Sequence, residues 1–188
     1  MSKGRLEAFS DAVIAIAITI MVLELKVPQG ADWAALRPIV PVLLTYALSF
    51  VFLGIYWNNH HHMLHAADRI NGKILWANLH LLFWLSLVPF VTGWVGESHF
   101  APLPTAVYGG VLLLAGVAYL ILTTAIIALH GPSSRLATAV GRDTKGKLSA
   151  VLYAVAIPLA FANPWIAIYV FVSLLWLIPD RRIESTLR

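Results

Sequence analysis

Three observations predict an all-α integral membrane protein with six transmembrane helices per subunit. Of the 188 residues 60% are hydrophobic and only 12% are charged. The charges are clustered: no Asp, Glu, Lys or Arg occurs in Pro38–Ala67, Ile74–Gly96, Ser98–Ser134 or Leu148–Pro179. Each run exceeds the ~20 apolar residues that cross a bilayer. The third observation is the placement of the basic residues. With a cytoplasmic amino terminus and six spans, Lys3, Arg5, Arg69, Lys73, Arg135, Arg142, Lys145, Lys147, Arg181, Arg182 and Arg188 fall inside, and only Lys26 and Arg37 fall outside. Such an excess of Lys and Arg marks cytoplasmic loops, so the sequence predicts a multi-pass protein of the cell membrane with both termini in the cytoplasm.

The helices are expected near residues 8–26, 38–61, 74–95, 104–129, 148–162 and 164–179, within a single membrane domain that spans residues 1–188. The first carries Ser10-Asp11 near its start and runs through an apolar segment to Leu23. The second, third and fourth fill the charge-free runs less their polar ends. The fifth and sixth share the last run, with Asn163-Pro164 as the break, because Pro cannot continue a helix. A single long helix there would put Lys147 and Arg181 on opposite sides, so a hairpin fits the charge bias better. Residues 131–147 read as a basic cytoplasmic loop. The absence of cysteine removes disulfides and thiolate chemistry. The positive balance reports membrane orientation; no basic patch stands clear of the spans to hold nucleic acid. Lys3 and Arg5 also resemble the basic start of a cleaved signal peptide, but Asp11 interrupts the apolar run and no small-x-small cleavage pattern follows it.

At about 100° per residue, Phe9, Val13, Ile16, Ile20, Leu23 and Val27 form a narrow stripe on the first helix, with Thr19 on its flank. Two explanations fit the periodicity: ordinary core packing, or self-association around an axis. Asp11 lies about 140° from Ile16 and Ser10 about 120° away, so both point off the stripe toward neighbouring helices. A carboxylate at a span costs roughly 2.5–3.5 kcal/mol on insertion scales and persists where it faces protein or water. Asp11 is therefore a functional candidate. Donors and acceptors that suit it lie at Tyr56-Trp57-Asn58-Asn59-His60-His61 and at Asn78-Leu79-His80.

The arrangement Arg5-x-x-x-Phe9-Ser10-Asp11 at the start of a first span resembles the signature of the transmembrane protein 175 family, the endo-lysosomal potassium channels and their prokaryotic homologues. Two further elements are similar: W-x-x-H at Trp57 and His60, and Asn78 followed by Ser86-Leu87-Val88-Pro89-Phe90. The resemblance covers the first half of the chain. It implies a potassium-preferring cation channel, not an enzyme: four six-helix subunits form a homotetramer whose first helices line a central pore. Ile16 falls at the hydrophobic constriction, Thr19 at the position associated with selectivity, and Ile20 and Leu23 on the next apolar layers. Arg5, Phe9, Ser10, Asp11, Trp57, His60 and Asn78 form the motif and gating network, with Trp57 and His60 as partners of Arg5, Ser10 and Asp11. Potassium is the permeant ligand and no cofactor is implied. Other monovalent cations, and protons, belong to the same class of permeant ions. No T-V-G-Y-G filter occurs, so selectivity from a backbone carbonyl cage is excluded.

Two other readings remain open on sequence alone. His61 and His65 stand one helical turn apart and are candidate metal ligands, but His80, His99 and His130 are too scattered to complete the histidine boxes of a membrane metalloenzyme. A proton-coupled transporter would use Arg5, Asp11 and His60 as a relay, yet such folds carry internal repeats and broken helices, and neither is evident.

Overall fold

The computed structural model describes residues 2–140 and 144–174. Among them every regular element is helical: α1 (Lys3–Ile20), α2 (Val40–His65), α3 (Gly72–Ser86), α4 (Val88–Glu97), α5 (Pro102–His130), α6 (Arg135–Val140), α7 (Thr144–Ala162) and α8 (Pro164–Leu174). A 3-10 turn, Met21–Glu24, prolongs α1, and another, Trp33–Ile39, leads into α2. Four stretches are long and apolar enough to cross a membrane: Lys3–Glu24, Trp33–His65, Gly72–Glu97 and Pro102–His130. The apolar parts of α7 and α8 are shorter.

The boundaries differ from expectation where polar residues extend a helix beyond its apolar run. α1 starts at Lys3, before the apolar segment, with Lys3 and Glu7 paired one turn apart at 3.8 Å. Such i,i+4 pairs support an exposed first turn by a few tenths of a kcal/mol. α2 continues to His65, so His60, His61, His62 and His65 are all helical. The expected loop 131–147 contains α6 and the start of α7; Ser134 opens α6 by accepting a hydrogen bond from the Ala137 amide at 3.3 Å. Of the sixth expected helix, 175–179 lies outside the described residues.

The third expected helix is broken. Pro89 has no N–H to give the Leu85 carbonyl, and the chain turns at Leu87, whose amide bonds to the Trp84 carbonyl at 3.2 Å. Asn163 separates α7 from α8 and caps the latter, its Oδ1 accepting from the Trp165 amide at 3.0 Å. The two helices then pack against each other.

α5 is the central helix, packed against α3, α4, α7 and α8, while α1 packs on α2, α3 and α4. Close approaches depend on small residues. A Cβ on Gly96 of α4 would sit 2.7 Å from the Cα of Val42 on α2, and one on Gly109 of α5 would sit 2.6 Å from Cζ of the buried Phe171 on α8. Val42 meets Gly96 with backbone, which cannot swing away. Gly96→Ala is therefore expected to force α2 and α4 apart and cost about 1–3 kcal/mol, read as a lower thermal midpoint in detergent micelles. An unchanged midpoint would show that the α2–α4 approach is looser than described.

Candidate functional site

The two faces of α1 have different environments. Leu6, Ser10, Ile14, Ala17 and Met21 are buried against the subunit's own helices. Phe9, Ile16, Ile20, Leu23 and Val27 are exposed, Ile16 by 55% and Leu23 by 77%, with Val13 half-buried beside them. The stripe is thus not core packing within the subunit; that explanation of its periodicity is corrected. Thr19 is also exposed. Its hydroxyl lies 3.0 and 3.1 Å from the Ala15 and Ile16 carbonyls, to which it donates, which leaves the oxygen's lone pairs free to accept.

The buried face ends in a polar network built from three helices. His60 Nε2 on α2 lies 2.7 Å from Asn78 Oδ1 on α3. The carboxamide oxygen only accepts, so Nε2 carries the proton of this bond. Asn78 Nδ2 donates to Ser10 Oγ at 2.9 Å, and Ser10 donates to the Leu6 carbonyl at 2.8 Å. Ser10, His60 and Asn78 are buried. Each bond satisfies a group that would otherwise be stranded away from water, at a cost of about 1–3 kcal/mol. Beside this chain Trp57 Nε1 donates to Asp11 Oδ1 at 3.0 Å; Asp11 is half-buried and Trp57 exposed. A carboxylate acceptor makes this bond one of the stronger kind.

The structure therefore brings Ser10, Asp11, Trp57, His60 and Asn78 together. Arg5 does not join them: it is exposed and forms no hydrogen bond or ion pair with another described residue. Its expected contact with Trp57 or His60 is not made within the described subunit, where the residue one turn before the exposed Phe9 is itself exposed. Phe9 is exposed at the start of the stripe. His61 and His65 stack nearly parallel, ring centroids 6.3 Å apart at 13°. Ring lone pairs lie in the ring plane, so this arrangement does not aim two nitrogens at one point, and no group of three or more potential ligands converges among the described residues.

Several polar contacts lie outside the sequence-derived set. Thr92 donates to Ser49 at 2.7 Å, and Ser49 Oγ lies 2.9 Å from the Tyr108 hydroxyl, joining α4, α2 and α5. At the far end of α1, Lys26 pairs with Glu97 at 2.5 Å, and Glu24 packs on Gly93. The Glu97 carboxylate, by its hydrogen bond and then its charge, raises the Lys26 ammonium above its ordinary value. Both groups are exposed, so salt screens the pair. The sequence signal for these contacts is only a polar residue inside, or just beyond, an apolar run.

A potassium channel of Chryseobacterium sp. (strain P1-3) is 55% identical to this chain over 190 residues, covering 100% of this chain and 99% of its own. The family model described as endosomal/lysosomal potassium channel TMEM175 matches residues 5–89. The chain belongs to the TMEM175 family. That family is one of ion channels, not enzymes. The crystal structure of a lysosomal potassium-selective channel TMEM175 homolog from Chamaesiphon minutus superposes with a TM-score of 0.80 at 30% identity, covering 96% of this chain and 97% of that one. The human endosomal/lysosomal proton channel TMEM175 is 35% identical over 96 residues, which are 44% of this chain and 19% of the human protein. The TMEM175 family model spans α1 from Arg5, α2, α3 and the first two residues of α4, the segment that holds both the stripe and the network.

Proposed function

We propose that this TMEM175 chain is one subunit of a homotetrameric, potassium-preferring cation channel of the cell membrane, with four copies of α1 around a central pore. The observation that carries this reading is the two-faced first helix: its inner face is buried within the subunit, while an apolar stripe is left for like copies. A cyclic ring of heterologous contacts closes such a stripe on itself. Ile16 forms the constriction, Ile20 and Leu23 the apolar layers beyond it, and Thr19 offers hydroxyl oxygens beside it. A narrow hydrophobic ring stays dry and closed, and slight widening wets it. Trp57, Asp11, Ser10, Asn78 and His60 hold α1 against α2 and α3 and thereby set the bore. Arg5, unpaired within the described subunit, is available to a neighbouring copy.

In this reading α7 and α8 complete six crossings in a single membrane unit surrounded by lipid, and both termini are cytoplasmic. The curated relatives named as potassium channels support passive conduction over carrier transport. Relatives named as proton channels support proton passage by the same path. The test joins mass measurement of the detergent-solubilised protein to recordings in planar bilayers. A four-subunit mass with unitary, potassium-preferring currents is expected. A monomer, or saturable flux without unitary events, would overturn the proposal.

A further inference from the structure

His130, the last residue of α5, holds the turn between α2 and α3. Its Nδ1 lies 2.9 Å from the Ile126 carbonyl, and its Nε2 lies 3.1 and 3.3 Å from the backbone amides of Asp68 and Arg69. These partners assign the tautomer. A carbonyl only accepts and an amide N–H only donates, so Nδ1 carries the hydrogen and Nε2 offers its lone pair to two donors. Arg69 adds a second tie, its Nη2 3.4 Å from the Leu129 carbonyl. The residues held by this strap, 66–71, join the helix that supplies Trp57 and His60 to the helix that supplies Asn78.

We infer that His130 is a positioning residue for the α1 network: as a neutral ring it straps the α2–α3 turn to α5, and its protonation releases that turn and lowers channel current. A second proton on the ring must sit on Nε2, where it faces two N–H groups in place of accepting from them. Both hydrogen bonds are then lost together. Among the described residues, the ionisable groups at this end of the bundle include Lys3 and Glu7 on α1, with Lys3 donating to the His65 carbonyl, His62 and His65 on α2, Asp68 and Arg69 on the turn, Lys73 on α3 and Arg135 on α6. Apart from the Ile126 carbonyl of α5 itself, only the turn bonds to the ring among the described residues, and through its backbone, so the switch depends on the ring's own proton. The inference rests on the channel reading for its effect on current, but not for the strap itself.

The test follows the wild type, His130→Gln and His130→Ala in bilayers as the pH on the cytoplasmic side falls from about 8 to about 5.5, the interval in which imidazoles change charge. Wild-type current should fall about fivefold, the effect of losing one or two ordinary hydrogen bonds. Gln retains an acceptor oxygen without a titration and should stay near the high-pH level throughout; Ala should be low at both ends. A wild-type pH profile in His130→Gln would overturn the inference. Hydrogen exchange in the wild type, corrected for the intrinsic pH dependence, should show the Asp68 and Arg69 amides protected at the higher pH and released at the lower. Unchanged protection would overturn the strap whatever the currents do. Release without any current in the wild type would support the strap and count against the channel reading.

Discussion

Replacing Ile16 with Asn is expected to raise single-channel conductance and reduce the preference for potassium over sodium. Ile16 is 55% exposed on the subunit and contributes nothing to its buried core, so the substitution spares the fold. In a ring of four, the isoleucine side chains would present only hydrocarbon to an ion that has shed part of its water, and the missing hydration is the barrier. Carboxamides supply both donors and acceptors there. A barrier lowered by about 1 kcal/mol raises the crossing rate about fivefold. Once dehydration is no longer required, the advantage of the more easily dehydrated ion shrinks, and the reversal potential with potassium on one side and sodium on the other should move toward zero. Thr19→Val provides the contrast: it removes the exposed hydroxyl and leaves the apolar ring, so selectivity should fall more than conductance rises. Unaltered conductance and reversal potential in an assembled Ile16→Asn protein would mean that the pore runs elsewhere, and the roles of Ile16, Thr19, Ile20 and Leu23 would fail together.

Asp11→Ala is expected to abolish most current without changing the selectivity of what remains. Asp11 faces Trp57, off the stripe, and its loss leaves the indole N–H without its acceptor. Hydrogen bonds to a charged group are worth about 1.5–3 kcal/mol, enough to shift α1 against α2. His60→Ala should act similarly from the other side of the network, because it strands the Asn78 carbonyl oxygen in a buried site. Arg5→Ala should behave differently. With no partner among the described residues of its own subunit, Arg5 would act through assembly in the proposed tetramer, and its removal should appear as a reduced tetramer fraction by mass measurement at unchanged monomer stability. A stable, conducting Asp11→Ala tetramer with altered selectivity would place the carboxylate in the pore and refute this division of roles.

Much of this architecture is legible in the sequence because hydropathy and helical angle are local. The stripe from Phe9 to Val27 follows from a spacing of alternating four and three residues, and the direction of Ser10 and Asp11 follows from the same count. The meeting of Asp11 with Trp57 is less local, and only the motif resemblance implies it; the resemblance pairs His60 with Arg5, Ser10 and Asp11, whereas the structure bonds His60 to Asn78, which stands between it and Ser10. The break at Leu87 escaped because only Ser86 interrupts the apolar run there; the Pro89 imide leaves no trace in hydropathy. The role of His130 escaped for a different reason. A lone histidine at a helix end has no periodic partner, and the amides it binds lie about sixty positions earlier in the chain.

The break at Leu87 divides the support of α1 into two beams. α3 carries Asn78 and grips α1 near Ser10, whereas α4 meets the turn Met21–Glu24 and, through Glu97, Lys26. With one rung missing from the hydrogen-bond ladder, the third span bends more cheaply between these beams than anywhere else along its length. α1 has no such joint between Lys3 and Ile20. A rotation of one beam against the other would be delivered to a stiff rod held at both ends, and the rod would lean as a whole. Leaning would displace the middle of the stripe, around Ile16, by an amount set by geometry, with no need for any residue there to change its own conformation.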